Sequence, residues 1–302
     1  MNIRLNNEIC AFEYMEDKPE ECNEYYYESF IRYLNIFFDV FEAAFNKCEF
    51  SSLLTLLSVR GIEDAGWDPY KSSIQIIDSI IDATDKIHIK EVQRNIHLWV
   101  YGHIMEASEP YEMVMNLLDI IDGEEFKILK FPLKKSGVPL SPGEKQTKIV
   151  GKAKQLGFNK LEKIYAETWD RDLRNAVVHS DYCLLESEVR IRKPIKIYTS
   201  QEINKIVNRS YAYFHVIKFL HSYYTSSYSK PKVIKPHPMF NEHGNCLVIV
   251  REDYGAIGIK DNYTSNDISA GAIPYRIGRF YPEEEKMLES NPLLAVLPKR
   301  DM

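Results

Sequence analysis

The sequence lacks long apolar runs and the short motifs that hold nucleotides. No stretch approaches 18 uncharged apolar residues, so we expect no transmembrane helix and no membrane partner. The N-terminal stretch MNIRLNNEICAFEYMED has no apolar core of the kind found in secretion signals. Neither a Walker loop nor a GxGxxG motif occurs, so NTPase activity and dinucleotide binding have no support. We therefore expect a cytoplasmic protein with no cofactor.

Cysteine is scarce and scattered. The five cysteines are an odd number, and no two of them form a CxxC pair. This pattern argues against a zinc site and favours reduced thiols in the cytosol. His97, His103 and Glu106 are spaced by six and three residues, which gives neither an HxxxH nor an HExxH helix face. The sequence therefore predicts no metal site.

Positive charge is in the minority but is concentrated in one segment. The chain has 38 Lys and Arg against 44 Asp and Glu, a net charge of −6. Residues 126–161 hold nine lysines and one acid, Glu144, which makes the segment +8 and leaves −14 for the remainder. A basic segment in an acidic protein is a candidate surface for a polyanion, and a solvated lysine-rich loop and helix is the alternative. The candidate contacts are Lys134, Lys135, Lys145, Lys148 and Lys152.

Helical periodicity dominates the chain from about residue 20 to residue 225. The first helix, about 20–47, carries apolar residues over more than one stripe, which predicts burial on two sides. Further helices are predicted at the ranges 71–83, 89–107, 109–121 and 144–156.

Strand patterns follow in two places. Residues 188–192 and 194–198 alternate with period two and predict a β-hairpin, and Thr199 to Glu202 forms a capping box that opens a helix to about Tyr224. Beyond Ser229 a second hairpin is predicted from residues 246–250 and 256–259. The fold class is therefore mainly α, with a helical domain at 1–228 and a small α+β appendage at 229–302.

The stretch Arg174-Asn175-Ala176-Val177-Val178-His179 combines a permanent cation with a side chain that can exchange a proton near neutral pH. Residues 160–178 contain no Pro or Gly and predict one helix. At about 100° per residue, an apolar stripe of Trp169, Leu173, Ala176 and Val177 lies opposite Arg171, Arg174, Asn175 and His179. A solvated helix end, with His179 suited to the helix dipole, is the alternative interpretation.

The string LRNAVVHSDY, Leu173 to Tyr182, resembles the signature of the HEPN superfamily (higher eukaryotes and prokaryotes nucleotide-binding). Within that superfamily, the string most resembles bacterial abortive-infection-type members. The resemblance implies a helical bundle and an RNase site shared by two chains of a homodimer. Arg174, Asn175 and His179 stand at the matching positions, so the resemblance makes them the catalytic candidates. Where some toxin members have a tyrosine two residues after the histidine, this chain has Asp181, with Tyr182 one residue later.

The implied function is metal-independent cleavage of RNA by its own 2′-hydroxyl, in a bacterial defence or toxin-like system with RNA and a regulatory protein as partners. Three further residues are candidates for lining the site: Glu106 on an earlier helix, Arg171 and Tyr182.

A non-catalytic nucleic-acid-binding or assembly module of the same fold is the rival hypothesis. A structural protein that carries the motif by accident is a third. A second Arg-x5-His, Arg209 to His215, lies mid-helix without the following Asn and is interpreted as structural.

Overall fold

A computed structural model describes residues 24–58, 69–84, 86–127, 130–236, 238, 244–251, 256–260 and 263–270. The helices of this part are α1 Glu24–Lys47, α2 Glu49–Ser58, α3 Pro69–Thr84, α4 Lys90–Glu106, α5 Glu109–Ile121, α6 Pro142–Gln155, α7 Lys160–Thr168, α8 Arg171–Val178, α9 Ser200–Ser226 and α10 Ser265–Ala270. The strands are β1 Tyr182–Leu184, β2 Glu188–Ile191, β3 Lys196–Thr199, β4 Lys232–Ile234, β5 Cys246–Arg251 and β6 Ala256–Lys260.

The predicted fold class is confirmed, since helices dominate and the strands form two small antiparallel sheets. One sheet has the order β1-β2-β3 and the other has the order β4-β5-β6. The hairpin predicted after the motif helix is β2–β3, in register with Val189 opposite Tyr198. Strand β1, which the sequence did not indicate, pairs with β2 and brings Tyr182 opposite Ile191.

The described chain forms two compact units, each built from separate segments. Unit 1 takes the described residues of 1–40, 74–111 and 141–220, and unit 2 takes those of 41–73, 112–140 and 221–302. No helix of the described part is long and apolar enough to cross a membrane.

Unit 1 is organised around buried aromatic side chains. Tyr33 and Phe37 of α1 are completely buried, as the broad apolar surface of this helix predicts. The rings of Phe37 and Tyr213 have centroids 5.9 Å apart, and Tyr165 lies 6.0 Å from Tyr213. The predicted capping box opens α9, because Glu202 N donates to Thr199 Oγ1 at 3.2 Å and Thr199 N donates to Glu202 Oε2 at 2.8 Å.

Unit 2 has a core that joins helices to the second sheet. Side chains of α2 and β4–β6 are buried in one cluster with Phe126 and Tyr228. Tyr228 OH donates to Glu49 Oε1 at 2.7 Å, and Val250 N donates to Tyr228 O at 2.7 Å. The strands beyond residue 229 therefore share a core with helices rather than packing only among themselves. The last part of the predicted appendage, 271–302, lies outside the described residues.

Candidate active site

The motif helix is shorter than predicted, because the single helix expected over 160–178 is two helices. Helix α7 ends at Thr168, Trp169 and Asp170 have extended backbone, and α8 begins at Arg171. Asp170 is the N-cap of α8, and its Oδ1 accepts from Asp172 N and Leu173 N, each at 3.0 Å. The prediction of one helix was wrong because an aspartate that caps a helix looks, in sequence, like one inside it.

Asp170 also joins the start of α8 to two neighbouring elements. Its carboxylate accepts from Lys196 Nζ and Tyr198 OH of β3, each at 2.9 Å. Tyr101 OH of α4 accepts from Asp170 N at 3.0 Å and donates to Asp170 O at 3.2 Å. Burial raises the pKa of the Asp170 carboxyl, but hydrogen bonds from Leu173 N, Lys196 and Tyr198 outweigh burial and leave that pKa below its ordinary value. The N-terminus of α8 is therefore held in one position.

The apolar side of α8 packs closely on α4. Leu173, Ala176 and Val177 are buried, as the stripe predicted. A Cβ at Gly102 of α4 would lie 3.1 Å from Val177 Cγ1, so the absence of a side chain there permits the close approach. Trp169, predicted for the same stripe, is only half-buried.

Arg174 lies at the centre of the polar side of α8. Its Nη1 donates to Asn175 Oδ1 at 2.6 Å, and its Nη2 forms an ion pair with Glu106 Oε1 at the end of α4. Its Cζ lies 5.6 Å from the centre of the Trp169 ring, within range of a cation–π contact. Burial lowers the pKa of the Arg174 guanidinium, although arginine keeps its charge throughout the physiological range. The structure thus brings Glu106, a candidate from the sequence, directly against Arg174.

His179 ends α8 and faces solvent. Its backbone N–H donates to Asn175 O at 3.0 Å, and its side chain is exposed. In the described part of the chain its ring has no hydrogen-bond partner. Ser180 follows with a φ of 54°, which turns the chain away from the helix. The ring is therefore accessible to a substrate or to a second protein chain.

The other two candidates from the sequence do not join Arg174. Arg171 is exposed at the first turn of α8. Tyr182 lies on β1, where its hydroxyl accepts from Trp99 Nε1 at 3.0 Å and donates to Asn95 Oδ1. Burial raises the pKa of Tyr182. Sequence reasoning did not single out Trp99 and Asn95, although their separation of four residues on α4 puts them on one helix face.

The lysine segment divides into exposed and engaged side chains. Lys145, a predicted polyanion contact, is buried, and its Nζ donates to Ser108 Oγ at 2.9 Å, so its charge is not presented at the surface. Lys135 and Lys148 are exposed, while Lys134 and Lys152 are half-exposed.

Acidic residues outside the segment neutralise part of its charge. Lys130 is buried in an ion pair with Asp119, Lys154 pairs with Glu162 at 2.8 Å, and Lys127 pairs with Glu124 at 3.5 Å. The net charge of +8 counted from the sequence therefore overstates the free positive charge.

Within the residues that the structure describes, no three His, Cys, Asp or Glu side chains are grouped so as to hold a metal ion. Comparison of the chain with known protein families, with curated proteins and with solved structures finds no match.

Proposed function

We propose that this protein is a metal-independent endoribonuclease of the HEPN type that acts as a homodimer. The observation that carries the proposal is the arrangement on α8. Glu106, Asn175 and Trp169 hold Arg174, and His179 stands exposed at the end of the same eight-residue helix. A fixed guanidinium and an accessible imidazole on one short helix can bind a phosphodiester and move a proton beside it.

The half-buried position of Arg174 suits transition-state stabilisation. Its side chain is 15% exposed, so a phosphate that reaches it leaves bulk water and interacts in a lower effective dielectric. Glu106 is 37% exposed and can turn towards solvent when an anion arrives. In this mechanism Asn175 fixes one edge of the guanidinium and leaves another edge for the scissile phosphate.

The reaction needs two proton-transfer groups. His179 accepts the proton of the 2′-hydroxyl as its oxygen attacks phosphorus, and His179 of the partner subunit donates a proton to the 5′-oxygen as the P–O5′ bond breaks. The products are a 2′,3′-cyclic phosphate and a 5′-hydroxyl. Val178, an apolar side chain that is 46% exposed beside His179, supplies surface for a two-fold contact at this end of α8.

Four exposed or half-exposed lysines of residues 126–161 provide the electrostatic attraction for RNA in this proposal. Lys148 and Lys152 lie on α6 in unit 1, and Lys134 and Lys135 lie in unit 2. From the resemblance to abortive-infection members we further propose that the enzyme acts in a cytoplasmic bacterial defence or toxin-like system, under the control of a regulatory protein.

One observation favours the rival function, a non-catalytic binding or assembly module. Glu106 already neutralises Arg174 in the free protein, which is the arrangement of a structural ion pair. In that case Arg174 stabilises the α4–α8 packing, and no RNA is cut.

The test is cleavage of single-stranded RNA in EDTA by the full-length protein, with product ends analysed for cyclic phosphate. His179→Ala should abolish cleavage because it removes the proton-transfer group. Arg174→Lys should also abolish cleavage, because it keeps the positive charge but removes the planar guanidinium. His103→Ala and Arg190→Ala, which change exposed residues of the same types, should cut like the wild type. Cleavage that survives His179→Ala would refute the mechanism, and RNA binding with no cleavage by the wild-type dimer would favour the rival function. Light scattering measures whether the protein is a dimer, independently of either outcome.

A further inference from the structure

A groove runs beside the candidate active site in unit 1. One wall is α4, with Val92, Asn95 and Trp99, and the other is the segment that follows His179, with Ser180 and Tyr182. Its volume is about 500 Å³, and it is shallow and largely open to solvent, so it offers one face to a ligand and does not enclose it. Because Ser180 directly follows His179 in the chain, one wall of the groove is continuous with the end of α8.

The exposed aromatic side chain in this groove is held in a fixed orientation. Trp99 is 56% exposed, yet its Nε1–H donates to Tyr182 OH at 3.0 Å. Tyr182 OH in turn donates to Asn95 Oδ1, so the three side chains form a chain of two hydrogen bonds. An indole fixed in this way loses little conformational freedom when a partner stacks on it.

The chemistry of the lining selects the kind of partner. The carboxylate of Glu91 lies in the same groove and repels phosphate, so the occupant is a neutral group rather than the RNA backbone. The amide nitrogen of Asn95 makes no hydrogen bond within the described residues, which leaves a donor in the groove. A flat neutral ring with hydrogen-bonding edges satisfies both the indole face and these polar groups.

We propose that this groove binds one nucleobase of single-stranded RNA, stacked on Trp99, next to the phosphate held at Arg174. The inference rests on the proposed function, since it names how the same site holds its substrate. Stacking is tolerant of base identity, because every base has a π-face. The amide of Asn95 and the carboxylate of Glu91 contact the edge of the base.

The experiment measures binding of a short 2′-O-methyl RNA, which cannot react by 2′-hydroxyl attack, to the full-length protein by fluorescence anisotropy. Trp99→Ala should weaken binding by about 5- to 150-fold, the usual effect of removing one stacking platform. Trp99→Phe should lose less affinity than Trp99→Ala, because it keeps an aromatic face although it lacks the Nε1–H that donates to Tyr182. Tyr223→Ala, which removes an exposed aromatic residue of unit 2, is the control and should bind normally.

A series of the same RNA with one abasic position at a time locates the stacked base. One abasic position should weaken binding to the wild type and have no further effect on Trp99→Ala, because both changes remove the same contact. RNA binding that is equal for wild type and Trp99→Ala would overturn the groove proposal and leave the proposed function standing. Loss of the dimer in Trp99→Ala, with RNA affinity unchanged, would show that a second copy of the chain occupies the groove. Failure of the wild type to bind RNA would overturn both proposals.

Discussion

The carboxylate of Glu106 forms an ion pair with the guanidinium of Arg174, and this contact joins the last turn of α4 to the middle of α8. Arg174 also donates to Asn175, so two of the guanidinium nitrogens already have partners before any substrate arrives. A phosphate must therefore compete with Glu106 for the guanidinium.

Glu106→Gln should increase the affinity for 2′-O-methyl RNA at least about fivefold. The substitution removes a negative charge beside the phosphate position, and two unit charges about 4 Å apart interact by about 1 kcal/mol even in bulk water, so about fivefold is the smallest gain expected. Glu162→Gln, which removes the exposed carboxylate that pairs with Lys154, changes net charge equally and should have less effect. Equal gains in the two variants, measured by anisotropy at one salt concentration, would show a general charge effect.

Asp170→Ala should destabilise unit 1 by about 2–3 kcal/mol, since it removes the cap of α8 and two side-chain hydrogen bonds. Asp170→Asn, which keeps an acceptor for the cap, should cost about 1 kcal/mol. Urea unfolding monitored by circular dichroism measures both, and RNA cleavage should decrease in the same order. An Asp170→Ala protein as stable as the wild type would show that α8 does not depend on this cap.

The charge of Asp170 also gives a pH dependence. Because the pKa of this carboxyl is lower in the folded protein than its ordinary value of 3.8, the stability from its charge is fully present at neutral pH. That stability is lost as the pH falls below about 4. The difference in unfolding free energy between wild type and Asp170→Asn should therefore shrink on acidification.

His215 should make the protein less stable below pH 6.5. His215 is half-buried, its Nδ1 lies 2.8 Å from Tyr26 OH, and Lys218 lies nearby, paired with Asp78. Burial and the charge of Lys218 lower the pKa of His215 from 6.5 to about 4. Between these values the unfolded chain binds a proton that the folded chain does not, so the unfolding free energy falls as the pH falls, by about 1.4 kcal/mol per pH unit at most. His215→Gln should flatten this slope in urea titrations at a series of pH values. An unchanged slope would mean that another group titrates in this range.

The exposed and half-exposed lysines of residues 126–161 should contribute to RNA binding through charge alone. Lys148→Glu with Lys152→Glu should weaken binding across RNA sequences and reduce the slope of log affinity against log salt by about 1.4, at about 0.7 per phosphate contact. Lys134→Glu with Lys135→Glu tests the part of the segment in unit 2. Lys86→Glu with Lys230→Glu alters net charge equally at exposed positions elsewhere and should have little effect. Equal losses from all three pairs would exclude a local binding surface.

The sequence predicted the features that depend on local periodicity. The apolar stripe of α8 is buried and its polar side is not, because a helix fixes both directions through its 3.6-residue turn. The capping box at Thr199 and the hairpin of β2 and β3 were also predictable, since each depends on residues close together in the chain.

The features that depend on distant residues were not predictable. The break at Trp169 and Asp170 is fixed by Tyr101 and Tyr198, which lie 69 and 28 residues from Asp170. Lys145 is buried, and its ammonium group donates a hydrogen bond to Ser108, 37 residues earlier. The groove at Trp99 exists only because β1 brings Tyr182 across 83 residues to α4. No short window of sequence contains these pairs.

The division of the chain between the two units has a consequence for synthesis on the ribosome. Unit 1 draws on no residue beyond Leu220, so every side chain of the candidate site has left the ribosome while the strands of unit 2 are still being made. Unit 2 joins Phe50 and Leu53 to Val248 and Val250, which are about 200 positions later in the chain. Contacts so distant in sequence form slowly, and a chain that stops at residue 228 lacks five of the eleven buried residues of that core. A truncated product would therefore carry a complete motif helix on a chain that exposes Phe50 and Leu53. Chaperones would bind such a chain, or proteases would degrade it.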